Sequence, residues 1–343
     1  MAHMIWNQFI TNILREERNM KHIPSENRVR HPFRVMVAKE VSDHVSSWRF
    51  LILIAIIALT CLGSMYSSLA QFGKAVRGSD AEDAFFFLRL FTVSDGTLPS
   101  FTVFVSFLGP LLGISLGFDA INSEHNRGTL SRLLSQPIYR DFIINAKFMA
   151  ALIVISILFS ALGLMVIGSG LLAIGVPPTP DELVRIIFFL LISIVYVAFW
   201  LNLSIFFSVK FRQAATSALA GIAIWLFFSI FYNMIIEMIA RGMAPKQMLS
   251  EQQVVLYQNF ILNLMRFNPS HLFSEATTTL LIPSVRSLGA LTMEQMEGAL
   301  PTPLPLGQSL LMVWPQVTGL AAGSILLFAL GYQAFMRREI RSR

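Results

Sequence analysis

Long apolar runs, broken by short polar stretches, set the pattern of this chain, and each run is continuous rather than alternating. Runs of about 18 or more apolar residues are long enough to cross a bilayer as helix, whereas membrane strands would show a two-residue period. Six such runs predict spans at about 50–70, 101–121, 148–174, 185–208, 214–238 and 314–336. A helical period of apolar positions precedes them. Ile5, Trp6, Phe9, Ile10, Ile13 and Leu14 share one face, with Asn, Gln, Arg and Glu opposite, so this segment suits the membrane interface or a partner. Pro32 opens a second amphipathic helix, with Phe33, Val37, Val41, Val45 and Trp48 along one stripe and Lys39, Glu40, Asp43 and Arg49 facing water or headgroups. Residues 1–49 therefore read as cytoplasmic amphipathic and elbow helices, and residues 50–343 as a six-helix transmembrane domain.

Two polar segments at the other end of the spans carry patterns of their own. Ser79-Asp80-Ala81-Glu82 is a capping-box sequence before Phe85, Phe86, Phe87 and Phe91, which predicts an outer interfacial helix; a substrate gate is the other reading. Residues 239–313 form an extracytoplasmic lid with helices of its own. Ser250 and Gln253 cap a helix to about 267, Asn268-Pro269 breaks it, and another follows to Ile282. Thr292 and Gln295 suggest a third helix, and Pro301, Pro303 and Pro305 an extended return. Within the spans, Gly109, Gly113 and Gly117 recur every four residues, as do Gly319 and Gly323, so helix backbones can pack closely there.

Composition narrows the class. With 55% hydrophobic and 13% charged residues, the chain is too apolar for an ordinary soluble domain. The net charge of +6 does not point to nucleic acid, because of where the cations lie. With the N-terminus inside, 18 of the 26 Lys and Arg fall in cytoplasmic segments, which places both termini in the cytoplasm. The lone Cys61 sits in the first apolar run and rules out a disulfide framework.

The stretch Asn122–Lys147, NSEHNRGTLSRLLSQPIYRDFIINAK, lies between the second and third spans. Gly128 relaxes the backbone, Thr129 can N-cap a short helix, and Leu130, Leu133 and Leu134 fall on one face at i, i+3, i+4. Pro137 ends that helix, and Asp141 starts the next. Arg127, Arg132 and Arg140 flank a three-leucine plug suited to a groove on a soluble partner; a helix lying on the bilayer surface is the plainer reading.

Glu124-His125-Asn126-Arg127-Gly128-Thr129-Leu130, followed by Leu133-Leu134-Ser135-Gln136-Pro137-Ile138 and Arg140, resembles the first cytoplasmic loop of type 2 ABC exporter permeases. VAKEVSDHVSSWRFLILI is similar to the elbow region of that family, and FNPSHLF stands where many of its members return toward the membrane. The resemblance implies an all-α polytopic membrane protein of six transmembrane helices, with an elbow helix, a coupling helix over 122–140 and a helical outer loop before the last span. It implies the cytoplasmic (inner) membrane of a prokaryote. It implies two ATPase subunits carrying ATP and Mg, with no cofactor on this chain, and a second permease copy or paralogue. Glu124, Arg127, Gly128, Thr129, Leu130, Arg132, Leu133, Leu134, Pro137, Ile138 and Arg140 would make the ATPase contact. Leu130, Leu133 and Leu134 would be its anchors.

No catalytic arrangement stands out. The sequence has no G-x-x-x-x-G-K-[ST] and no H-E-x-x-H, so the expectation is a non-catalytic subunit without a metal site. The middles of the spans carry almost no ionisable side chain, against an independent ion-coupled transporter or channel. A mechanotransmitting or sensor subunit using the same coupling helix remains open, and the substrate is not legible.

Overall fold

The computed structural model describes residues 32–75, 85–94, 98–126, 128–129, 139–243, 251–284 and 303–337. Among these, all regular structure is helical. Helix α1 (Pro32–Val45) precedes α2 (Trp48–Ala75), and the short α3 (Phe86–Thr92) leads to α4 (Phe101–Gly117) and the single turn α5 (Asn122–Asn126). Then come α6 (Arg140–Ile174), α7 (Pro180–Lys210) and one long span made of α8 (Ala214–Leu226), a π-helical turn (Phe227–Phe231) and α9 (Tyr232–Met243). Helices α10 (Glu251–Met265), α11 (Pro269–Leu281) and α12 (Leu306–Arg337) follow among the described residues. Among the described residues six helices are long and apolar enough to cross a membrane, and they match the six runs in order.

Three of these helices start earlier than the hydropathy implies, each for a polar reason. Helix α6 begins at Arg140 because the cation that interrupts its apolar run, Lys147, is buried and paired. Helix α7 begins at Pro180, where Thr179 and Glu182 form a complete capping box: the Glu182 amide donates to Thr179 Oγ1 at 3.3 Å and the Thr179 amide to Glu182 Oε2 at 2.8 Å. Helix α12 begins at Leu306, and Ser309 on its first turns accepts a hydrogen bond from buried Arg185.

Helix α7 is the axis of the bundle. Tyr196 and Trp200 are fully enclosed, and α4, α6, α8, α11 and α12 all pack around it. Helix α4 approaches most closely. A Cβ on Gly113 would sit 2.7 Å from Val197 O and 2.8 Å from Leu201 N, and one on Gly117 2.9 Å from Leu201 O. Gly109 meets Val197 in the same row, while Gly323 meets Phe199 and Gly319 lies in ordinary contact with Leu272. Near the far end, away from α5, Arg185 holds three elements together. Its Nε donates to Asp181 Oδ2 at 2.8 Å, Nη1 to Leu280 O at 3.0 Å, and Nη2 to Leu304 O at 2.7 Å.

Two expectations about the far end change. Helix α3 is not interfacial: Phe87, Leu88, Leu90 and Phe91 are buried, and Glu182 Oε1 accepts from the Phe87 amide at 2.9 Å. Its N-terminus is thus held by α7; the Ser79–Glu82 capping box lies outside the described residues. The segment expected as a lid sends α11 into the bundle. Asn268 caps α11 and donates through Nδ2 to Phe228 O at 2.8 Å, midway along its span. Phe273 stacks on Tyr196 at 4.4 Å. The helix therefore starts at mid-depth and climbs to Leu280 beside Arg185. The π-helical turn at Phe227–Phe231 explains the contact, because a π register changes which carbonyls meet intrahelical amides. Thr292 and Gln295 fall outside the described residues.

Candidate coupling site

The cytoplasmic expectation centres on residues 122–140; of the contact residues named there the structure describes Glu124, Gly128, Thr129 and Arg140, and Arg127, Leu130, Arg132, Leu133, Leu134, Pro137 and Ile138 lie outside the described residues. The approach to this segment is fixed from the end of α4. Ser208 Oγ on α7 accepts from the amides of Ile121 at 2.9 Å and Asn122 at 3.2 Å, two donors that a helix start leaves without intrahelical partners. Asn126 Nδ2 donates to Arg212 O at 3.1 Å, so the turn is tied to the end of α7 at a second point. Gly128 follows with φ +69°, a left-handed backbone that glycine adopts without steric cost.

From Thr129 a chain of polar contacts runs inward. Its hydroxyl donates to the Glu124 carboxylate and, at 3.2 Å, to Glu124 O. Glu124 Oε1 lies 3.6 Å from Lys147 Nζ, and Lys147 donates to Glu40 Oε2 at 2.9 Å. The Lys147 and Glu40 side chains are 7% and 12% exposed, so this pair is largely removed from water. Helices α1 and α6 and the start of the loop thereby meet at one cation. Arg49 at the start of α2 pairs with Asp119 at 2.8 Å and lies over the Phe118 ring at 5.2 Å. On the opposite flank Arg140 donates to Phe335 O at 2.6 Å and lies over the Phe335 ring, which joins the start of α6 to the end of α12.

These contacts surround a cavity of about 360 Å3 between α1, α2, α4, α5 and α6, with Glu40, His44, Asp119, Glu124 and Lys147 on its walls. Burial pushes the His44 imidazolium below the usual histidine range, with Lys147 adding to the effect against Glu40, Asp119 and Asp43. Lys39 goes the other way: burial disfavours its charge, but Glu40, Asp43 and Glu124 outweigh that and raise its pKa.

The sequence reading put Glu40 in water; instead it turns inward to Lys147, while Lys39 and Asp43 are exposed. The amphipathic stripe of α1 packs on α6, with Phe33 edge-on to Phe142 at 5.6 Å, and Trp48 stands free at 79% exposure. Glu275 on α11 was also missed as a site. It is buried, pairs with Arg266 at 3.0 Å, accepts from Gln316 Nε2 at 3.2 Å and lies 3.6 Å from His271 Nε2. For Glu275 the signal was a lone carboxylate in its helix; Glu40 gave none, since Lys39 and Asp43 beside it are surface ions. Among the described residues no group of three or more His, Cys, Asp or Glu could hold a metal ion.

The comparison with known sequences agrees with this architecture. Residues 34–340 match the profile of the family described as ABC-2 family transporter protein. The chain is also 26% identical over 200 residues to the probable ABC transporter permease protein NosY of Pseudomonas aeruginosa, across 57% of this chain and 66% of that relative. The chain belongs to the ABC-2 transporter family and is a membrane subunit of the permease type with six candidate spanning helices.

Proposed function

We propose that this chain is the transmembrane subunit of an ATP-driven exporter, working with two ATPase subunits and a second permease copy or paralogue in the cytoplasmic membrane of a prokaryote. ATP and Mg reside on the ATPases, and this chain is non-catalytic. The observation that carries the reading is the polar chain Thr129–Glu124–Lys147–Glu40, which leads from the coupling segment into α6 and α1. Movement of the segment with an ATPase groove would pull on two helices at once. Rocking them relative to the α4–α7 pair would exchange inward- and outward-facing states. The excess of cations at the α5 end supports the placement of both termini in the cytoplasm.

Leu130, Leu133 and Leu134 are the proposed anchors, contributing about 1.5–3 kcal/mol each on burial before docking costs. Replacing Leu133→Asp and Leu134→Asp together abolishes co-purification with the ATPase while the protein still inserts in the membrane. Undiminished binding of the double variant would refute the plug.

A further inference from the structure

The far half of the bundle holds a second cavity, partly open at its side, of about 500 Å3, between α3, α4, the π-helical turn, α9 and α11. In a bundle of Leu, Ile and Phe its walls are unusual, being rich in Ser, Thr and Asn, with His271 the sole titratable side chain among them. Ser106, Ser229, Asn233, Ser274 and Thr278 face it with hydroxyl or carboxamide groups that have no hydrogen-bond partner among the described residues. Behind the wall the Tyr196 hydroxyl donates to Ser106 O at 2.8 Å and shares a hydrogen bond with Ser270 Oγ at 2.9 Å, which fixes two wall residues against α7. Phe107, Phe228 and Phe273 add aromatic surface between the polar groups.

The geometry points to a binding chamber for an uncharged, polyhydroxylated solute of sugar or polyol chemistry. Hydroxyls and carboxamides both donate and accept, so they match a ligand made of hydroxyls, which also does both. A charged solute would enter without a permanent countercharge on the walls, at a large desolvation cost. A purely apolar solute would leave the unpaired wall groups stranded. The volume lies in the range of small-molecule sites, about 300–1,000 Å3. The proposal deepens the transport reading and rests on it only for the direction of passage; binding in the chamber needs no ATPase.

The test uses the full chain in lipid nanodiscs without any partner, with Cys61→Ala as background. Ser274→Cys places a thiol on the chamber wall, and Val176→Cys places one on the exposed loop between α6 and α7, where Val176 is 59% exposed. A small neutral methanethiosulfonate labels both, and trehalose, sodium gluconate and glucosamine are added in turn. The expected result is that trehalose slows labelling at Ser274→Cys threefold or more and leaves Val176→Cys unchanged, while the two charged sugars protect far less. Thr278→Cys, on the next turn of α11, should behave like Ser274→Cys. No labelling at either wall position, no protection by trehalose, or equal protection by the charged sugars overturns the proposal.

Discussion

Lys147 is the residue on which the α5 end of the bundle depends. A largely buried ammonium is tolerated only while its carboxylates are in place, so removing one of them costs more than the pair contributes. Glu40→Gln should lower the thermal stability of the detergent-solubilised protein by about 1.5–3 kcal/mol, the range for a hydrogen bond to a charged group. Adding Lys147→Met should recover most of that loss, because the uncompensated charge goes with it. A double variant no more stable than Glu40→Gln would contradict this account. His44 gives a pH signature. Its pKa is lowered by burial, so its contribution is fully present above the ordinary histidine value, about 6.5, and is lost as pH falls through it toward the folded value. Thermal melts between pH 7.5 and 5.5 should therefore show a larger loss for the wild type than for His44→Gln. Glu40 could be read from the sequence as a helix-surface charge but not as an inward one, since its partner lies 107 residues away.

At the scale of elements, the glycine row of α4 and the start of α7 do most to set the architecture. Gly113→Ala puts a methyl within 2.8 Å of α7 backbone atoms, which cannot yield as a side-chain tip can. It should destabilise by about 1–3 kcal/mol. Gly168→Ala in α6, where nothing lies within 4 Å, should be neutral or stabilising by about 0.5–1 kcal/mol through helix propensity. Thermal unfolding of the two variants side by side checks the contrast. The row was legible because a four-residue glycine repeat marks one helix face, although its partner α7 was not. The six spans were legible from length and apolarity alone. Helix starts were harder to place, because Lys147 and Arg185 look like terminators until their partners are seen. The descent of α11 into the bundle was hidden for a similar reason. Asn268-Pro269 marks a helix start but says nothing about depth, and the π-helical turn that receives Asn268 has no simple sequence signature.

At the scale of the whole molecule, the two polar cavities lie at opposite ends of one apolar bundle, and α4 lines both. The one beside α5 is bounded by ions that tie the segment after α4 to α1 and α6. The other is lined mainly by hydroxyls and carboxamides, with His271 among them. Family membership was legible from the motif between α4 and α6 together with the six-span plan. The substrate was not, because helical periodicity does not separate cavity-facing from lipid-facing positions until the helices are packed.

The central claim is that this chain depends on a separate ATPase. It is tested most directly by affinity purification from native membranes in mild detergent, followed by mass spectrometry and an ATP-hydrolysis assay. The account predicts a stoichiometric P-loop ATPase in the purified complex, with hydrolysis that disappears from the preparation when Leu133→Asp and Leu134→Asp are introduced. A homogeneous permease without any ATPase, still able to move solute in proteoliposomes, would contradict it.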